Sequence, residues 1–166
     1  IGDPNEYTFY AEKALPIEGD RVKYFEHLAQ SKQPYIGYKL LCLLNKYGIV
    51  KSVWSTNFDG LVERAAQQAN ITPICINLNC AERIYRTEST SELLYIALHG
   101  DYKYTSLKNT SKELDSQHPI FVAALKRYFN DKNLIVIGYS GRDKSLMSAL
   151  TEAFSERGSG RIYWCG

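Results

Sequence analysis

The chain has 166 residues, of which 45% are hydrophobic and 23% are charged, and its formal net charge is +2. This length suits one hydrophobic core, and so small a net charge gives no general attraction to nucleic acid or to an anionic membrane. No apolar run approaches the roughly 20 residues that span a bilayer and no charged-then-apolar leader opens the chain, so we expect a cytoplasmic domain.

The first half of the chain predicts helices around one strand. Helical spacing runs through RVKYFEHLAQ and then PYIGYKLLCLLNKYG, which Gly48 ends. One set of apolar residues shares a side of this second helix: Ile36, Leu40, Leu43, Leu44 and Tyr47. IVKSVW is rich in β-branched and aromatic residues and predicts a strand. The helical period returns from Asp59 and puts Glu63 on the exposed side.

Further strands and loops follow in the middle of the chain. ITPICINL predicts a strand, and the polar stretch AERIYRTESTSE predicts a loop. LLYIAL is a short apolar run that ends at His99 and Gly100. In NTSKEL, Thr110 and Glu113 form a capping-box pattern, which marks a helix start.

The last third alternates helix and strand twice. HPIFVAALKRYFN predicts a helix with Pro119 near its first turn. NLIVIGY is a continuous apolar run, typical of a strand covered on both faces. Asp143 then caps the helix KSLMSALTEAFSERG, which Gly158 closes, and RIYWC is the last strand. Leu146, Leu150 and Phe154 form the inner face of that helix.

Strands that alternate with helices need crossover connections, so we predict an α/β fold. The expected form is a Rossmann-like three-layer sandwich with a mostly parallel sheet. The four cysteines form no CxxC pair, so we expect buried free thiols, no zinc ribbon and no metal. Residues 1–166 should be a single domain, truncated at the N-terminus and joined to further domains of a longer polypeptide; homo-oligomerisation is left open.

Three of the four internal strands end in polar sequence. STNFD follows IVKSVW, HGDYK follows LLYIAL, and GYSGRD follows NLIVI. The carboxyl ends of parallel strands gather along one edge, where ligands bind, and helix N-termini there favour anions. This pattern indicates a polar, negatively charged ligand such as a nucleotide.

Each of these polar residues also has a structural interpretation. Asp59 and Asp143 could be ordinary N-caps, and Asn57 could satisfy the backbone of a turn. His99 could be a strand-terminal histidine with a hydrogen-bonded ring, and Gly138 could serve close packing. Their coincidence at three strand ends favours the functional interpretation.

These segments resemble a known family. STNFDGLVERA resembles the TTN-F/Y-D-x-L-x-E-x-A segment of sirtuin-like (silent-information-regulator-like) domains, and YIGYKLLCLLNKYGIVKSVW resembles the helix and strand before it. LHGDYKYTSLKNTSKEL and LIVIGYSGRDKSLMSAL resemble the L-H-G and G-Y-S-x-x-D segments of the prokaryotic branch. Domains of that branch usually serve in bacterial antiviral defence proteins and cleave NAD.

The resemblance implies a role for each matching residue. Asn57 and His99 would be catalytic, with Asn57 ordering the nicotinamide ribose and a water. The residues that would contact NAD are Thr56, Asn57, Asp59, Gly138, Tyr139 and Ser140.

Two departures from the sirtuin pattern shape the predicted activity. The glycine-rich G-A-G-x-S loop that cradles the diphosphate is absent, so this chain could be inactive by itself. The missing zinc ribbon favours NAD hydrolysis to nicotinamide and ADP-ribose over protein deacylation. The alternatives are an NAD-dependent deacylase and a non-catalytic module that senses NAD or ADP-ribose.

Overall fold

The computed structural model describes residues 9–10, 13–86, 89, 91–101, 106–107, 118–155 and 158–165. The chain divides into two compact units, one formed by Tyr10–Asn109 and the other by Ile1–Phe9 with Thr110–Gly166. The capping box predicted at Thr110 and Glu113 lies outside the described residues. The single-domain organisation of residues 1–166 stays a prediction.

The Tyr10–Asn109 unit contains a three-stranded parallel sheet. The strand order is β1-β3-β2, which confirms the α/β class with a mostly parallel sheet. In chain order the elements are α1 (Glu18–Gln30), α2 (Ile36–Lys46), β1 (Ser52–Ser55), α3 (Leu61–Gln68), β2 (Thr72–Ile76), a 3₁₀ helix (Leu78–Tyr85), β3 (Glu92–Ala97), β4 (Gly100–Asp101) and β5 (Ser106–Leu107).

The core of this unit lies where α2 and α3 cover one face of the sheet. Alternate residues of a strand point to opposite faces, and β3 contributes Leu93, Tyr95 and Ala97 to this core. Leu94 and Ile96, on the other face of β3, are also buried. The central strand is therefore buried on both faces. The remaining buried members of the core are Cys42, Val62, Ala65, Ala66 and Ile71.

The apolar side that spacing predicts for α2 is exposed, and a different side is buried. The exposed residues are Ile36, Leu40, Leu43, Leu44 and Tyr47. The residues that are buried or pack against the core are Tyr38, Leu41, Cys42 and Asn45. The Nδ2 of Asn45 donates to the carbonyls of Val50 at 3.0 Å and Glu92 at 3.4 Å, which offsets the cost of burying this donor. Spacing predicts the helix correctly but not its inner side.

Gly48 ends α2 as predicted. Its φ of +70° is left-handed, a conformation that glycine adopts without a steric penalty. The amide of Ile49 then donates to the carbonyl of Leu44 at 2.9 Å, so an otherwise orphaned carbonyl of the last turn is satisfied.

Two local predictions in this unit are wrong. Glu63 is buried, with 7% of its surface exposed, although the helical period puts it on the outer side of α3. The stretch predicted as loop begins inside the 3₁₀ helix Leu78–Tyr85. Asn77 starts that helix, because its Oδ1 accepts from the amide of Asn79 at 3.0 Å.

The second unit pairs two helices with two parallel strands. Its elements are α4 (Pro119–Phe129), β6 (Leu134–Ile137), α5 (Lys144–Ser155) and β7 (Ile162–Cys165). Pro119 is the first residue of α4, as predicted. The carboxylate of Asp143 accepts from the amides of Ser145 at 2.9 Å and Leu146 at 3.1 Å, so Asp143 caps α5 as predicted.

β6 is not covered on both faces, in contrast to the prediction for NLIVIGY. Val136 is buried, but Ile135 and Ile137 are 59% and 75% exposed. Their register partners on β7, Tyr163 and Cys165, are exposed as well. One face of this two-stranded sheet is therefore open, and a continuous apolar run was an insufficient sign of burial.

Candidate functional site

The ends of β1 and β3 lie side by side in the sheet. Ser55 is in register with Ala97, and the amide of Leu98 continues the ladder by donating to the carbonyl of Ser55 at 2.9 Å. Asn57 and His99 each follow the paired residues by two positions. Because the two strands are parallel and in register, the segments that carry Asn57 and His99 begin at the same edge of the sheet. Ligands bind at this edge in α/β folds.

Side chains other than Asn57 hold the loop after β1 in place. The Oγ of Ser55 accepts from the amide of Asn57 at 3.0 Å. The hydroxyl of Tyr95 donates to the carbonyl of Asn57 at 3.4 Å, from a ring that is buried in the core. Both backbone groups of Asn57 are thus satisfied by neighbouring side chains.

The Asn57 carboxamide is left exposed by this arrangement. Among the described residues, none of the hydrogen bonds uses its side chain. The interpretation that the side chain of Asn57 satisfies the backbone of the turn is therefore wrong, because the hydroxyl of Ser55 accepts that hydrogen bond. An exposed amide offers both a donor and an acceptor to a ligand.

Asp59 has a structural role, but it is not the N-cap of α3 as its structural interpretation predicts, because Gly60 occupies that position. Its Oδ1 accepts from the amide of Leu61 at 2.9 Å, at the start of α3. Burial first, and the negative charge of Asp59 second, raise the pKa of Tyr38. The carboxylate therefore acts electrostatically on α2 as well. Thr56 is half-buried in the same loop.

His99 is buried, with 7% of its surface exposed, at the end of β3. It is followed directly by β4, which pairs antiparallel with β5, so that Gly100 lies opposite Leu107. Gly100 has a φ of +88°, a left-handed conformation that suits glycine. The backbone of His99 therefore lies between two paired strands, β3 and β4.

The GYS segment follows β6 in the second unit. Gly138 has a φ of +66°, and a Cβ built on it would meet nothing within 4 Å. Close packing therefore does not explain this glycine; its left-handed backbone does, and the space in front of it is open. Ser140 is exposed.

Tyr139 is tied into the second unit. Its hydroxyl donates to the carbonyl of Asp143 at 3.4 Å, and its ring lies 5.8 Å from that of Trp164. Burial, together with the nearby charge of Asp143, raises the pKa of Tyr139, so the hydroxyl stays protonated at physiological pH.

Sequence reasoning missed the residues that support the loop. Tyr95 carries the only hydroxyl within the apolar run LLYIAL, and a buried tyrosine usually finds a hydrogen-bond partner, so this signal was available. Arg64, whose Nη2 donates to the carbonyl of Asp59 at 2.7 Å, resembled an ordinary surface cation of a helix.

The cysteines and other metal-binding side chains are dispersed. Cys42 is buried, Cys75 and Cys80 are half-buried, and Cys165 is exposed. The prediction that the thiols are buried was therefore correct for Cys42 only. Within the part of the chain that the structure describes, no group of three or more His, Cys, Asp or Glu side chains could hold a metal ion.

In that same part, no helix has the length and apolarity to cross a membrane.

The fold and the three loop segments agree with one family. The model of the SIR2-like domain matches residues 51–165, more than half of the chain. The chain therefore belongs to the SIR2-like family, and membership supports a sirtuin-type, NAD-related function. A comparison with curated proteins gives no match.

Proposed function

We propose that this domain is an NAD⁺ hydrolase that cleaves the nicotinamide–ribose bond and releases nicotinamide and ADP-ribose. Its setting would be a bacterial antiphage defence protein, as the effector domain. The observation that supports this most directly is that the carboxamide of Asn57 is exposed. Asn57 and His99 follow neighbouring parallel strands that end at the same edge of the sheet. Neighbouring side chains hold the loop, so the amide is available to a substrate.

The chemistry requires few protein groups. The C1–N bond of the ribose breaks with its electron pair on nicotinamide, which leaves as a neutral molecule, so no general acid is needed for the leaving group. Water adds to the oxocarbenium-like C1 and gives its proton to a base. Paired carboxylates of the glycosidase type are therefore unnecessary.

In this proposal His99 is the base and Asn57 is the orienting group. Imidazoles accept protons near neutral pH, which makes them common general bases. The carboxamide of Asn57 can donate to and accept from the ribose hydroxyls and the attacking water, which fixes the geometry of attack. Thr56 and Asp59 would contact the nicotinamide from the same loop.

Gly138, Tyr139 and Ser140 would contact the ribose and phosphates. What supports this is the left-handed backbone of Gly138 with open space in front of it, since a ligand can approach a glycine closely. The exposed hydroxyl of Ser140 is a ready donor to a phosphate oxygen.

A product analysis tests the proposal against its alternatives. The intact protein is incubated with NAD⁺, and the products are separated by liquid chromatography. We expect nicotinamide and ADP-ribose in equal amounts without any peptide. Release of nicotinamide only in the presence of an acylated peptide would indicate a deacylase. Calorimetric binding of NAD⁺ without nicotinamide release would indicate a sensor.

A further inference from the structure

Helix α1 is connected to the Asn57 loop by a single guanidinium. Nη2 of Arg64 donates to the carbonyl of Asp59 at 2.7 Å, and Nη1 donates to the carbonyl of Ala29 at 2.8 Å. Ala29 lies in the last turn of α1 and is 1% exposed. One side chain of α3 therefore joins the loop to the end of a helix that is distant in sequence.

The chemistry of this contact favours arginine. The carbonyls at a helix C-terminus carry partial negative charge, so a cation there is stabilising. The planar fork of arginine can hold two carbonyls in fixed directions at once, which the single ammonium of lysine does less well. The Nε of Arg64 is shielded from solvent, and the residue as a whole is half-buried.

A second contact connects the same two segments independently. The ring of Phe58, between Asn57 and Asp59, lies 5.0 Å from the ring of Phe25 on α1. The loop therefore contacts α1 through an aromatic pair as well as through the guanidinium. Both contacts are made within the two residues that follow Asn57.

We propose that Arg64 is a positioning residue for NAD cleavage, which fixes the Asn57 loop against the C-terminal end of α1. It acts through the carbonyl of Asp59 and does not contact the substrate. This inference rests on the proposed NAD hydrolase function. Because small misplacements of a catalytic group are costly in rate, loss of the guanidinium should lower turnover more than substrate affinity.

The test compares Arg64→Met, Arg64→Lys and Gln68→Ala in the intact protein. Gln68 is a matched control on α3, because its Nε2 donates to Gln33 at 3.2 Å without touching the loop. We expect Arg64→Met to lower kcat by about 10- to 100-fold, with KM changed by no more than about twofold. Arg64→Lys should recover part of the loss, and Gln68→Ala should resemble the wild type.

Hydrogen–deuterium exchange provides a readout that is independent of activity. Arg64→Met should speed exchange at the amides of Asn57 and Leu61 by about tenfold or more, and leave β3 unchanged. If the wild type fails to cleave NAD⁺ but the exchange responds, Arg64 still fixes the Asn57 loop against α1, while the proposed function fails. Wild-type kcat in Arg64→Met, or an equal loss in Gln68→Ala, would overturn the inference.

Discussion

The residues around Asn57 divide structural and functional work between them. Ser55 and Tyr95 satisfy the backbone of Asn57, and Asp59 and Arg64 hold the start of α3. None of these bonds uses the Asn57 carboxamide, among the residues that the structure describes. The sequence indicated Asn57 because this residue follows a strand. It did not indicate that Ser55 and Tyr95 satisfy the backbone of Asn57 and so leave its carboxamide exposed.

Asp59→Asn separates the structural role of Asp59 from its charge. An asparagine Oδ1 can still accept from the amide of Leu61, so we expect Asp59→Asn to stay within about 0.5 kcal/mol of the wild type in unfolding free energy. Asp59→Ala should lose about 1 kcal/mol, the usual net contribution of one hydrogen bond. Chemical denaturation measures both, and equal losses in the two variants would contradict this structural role.

The charge of Asp59 can be measured in the same variant. Asp59→Asn should lower the pKa of Tyr38 toward its ordinary value, because a negative charge that favours the neutral phenol has been removed. Ultraviolet titration of the tyrosines follows this change, with Tyr38→Phe to assign the signal. A pKa of Tyr38 that does not move would mean that burial alone is responsible.

His99→Gln tests the base. General-base assistance is typically worth 10²–10⁴ in rate, so kcat should fall by about that factor. Because His99 is 7% exposed, we also expect the variant to lose about 1–3 kcal/mol of stability, and thermal unfolding must accompany the kinetics. A folded variant with wild-type kcat would remove His99 from the mechanism.

Helices and strands were largely predictable, but the sides on which they pack were not. Regular spacing predicted α2, and a glycine predicted its end, yet Asn45 is buried while Leu40 is 52% exposed. A polar side chain can be buried where neighbouring segments provide hydrogen-bond acceptors. For the Nδ2 of Asn45, these acceptors are the carbonyls of Val50 and Glu92. Single-helix periodicity carries no information about such long-range partners.

Adjacent leucines on α2 test this packing directly. Leu41 packs against the core, whereas Leu40 is exposed. We expect Leu41→Ala to cost about 1–3 kcal/mol of unfolding free energy and Leu40→Ala to cost less than about 0.5 kcal/mol. Urea denaturation of both variants provides the comparison. The reverse order would mean that the side predicted from spacing is the inner one.

Across the molecule, the sequence predicted the fold class but not the strand order or which strand is buried on both faces. The continuous apolar run that predicts such a strand occurs in β6, where Ile135 and Ile137 are exposed. β3 lies between β1 and β2, and its residues are buried on both faces of the sheet: Leu93, Tyr95 and Ala97 on one, Leu94 and Ile96 on the other. Its own run, LLYIAL, also has six consecutive apolar residues, but the prediction described it only as a short apolar run.

The candidate site was predictable to the extent that it follows from strand ends and family resemblance. The SIR2-like match over residues 51–165 includes Asn57, His99 and the GYS segment. Contacts between elements, such as those of Tyr95 and Arg64, depend on the folded chain and were not predictable from spacing. The proposed roles of Thr56, Asn57, Asp59, His99, Gly138, Tyr139 and Ser140 stay predictions.

Nicotinamide release by Asn57→Ala, compared with Gln67→Ala, tests the central claim most directly. Gln67 is the matched control, because it is exposed on α3, whereas Glu63 of the same helix is buried. With NAD⁺ as substrate, we predict that Asn57→Ala lowers the rate by at least about 100-fold at unchanged thermal stability, while Gln67→Ala retains the wild-type rate. Equal rates in the two variants would contradict the account, because the loop after β1 would then be only a turn.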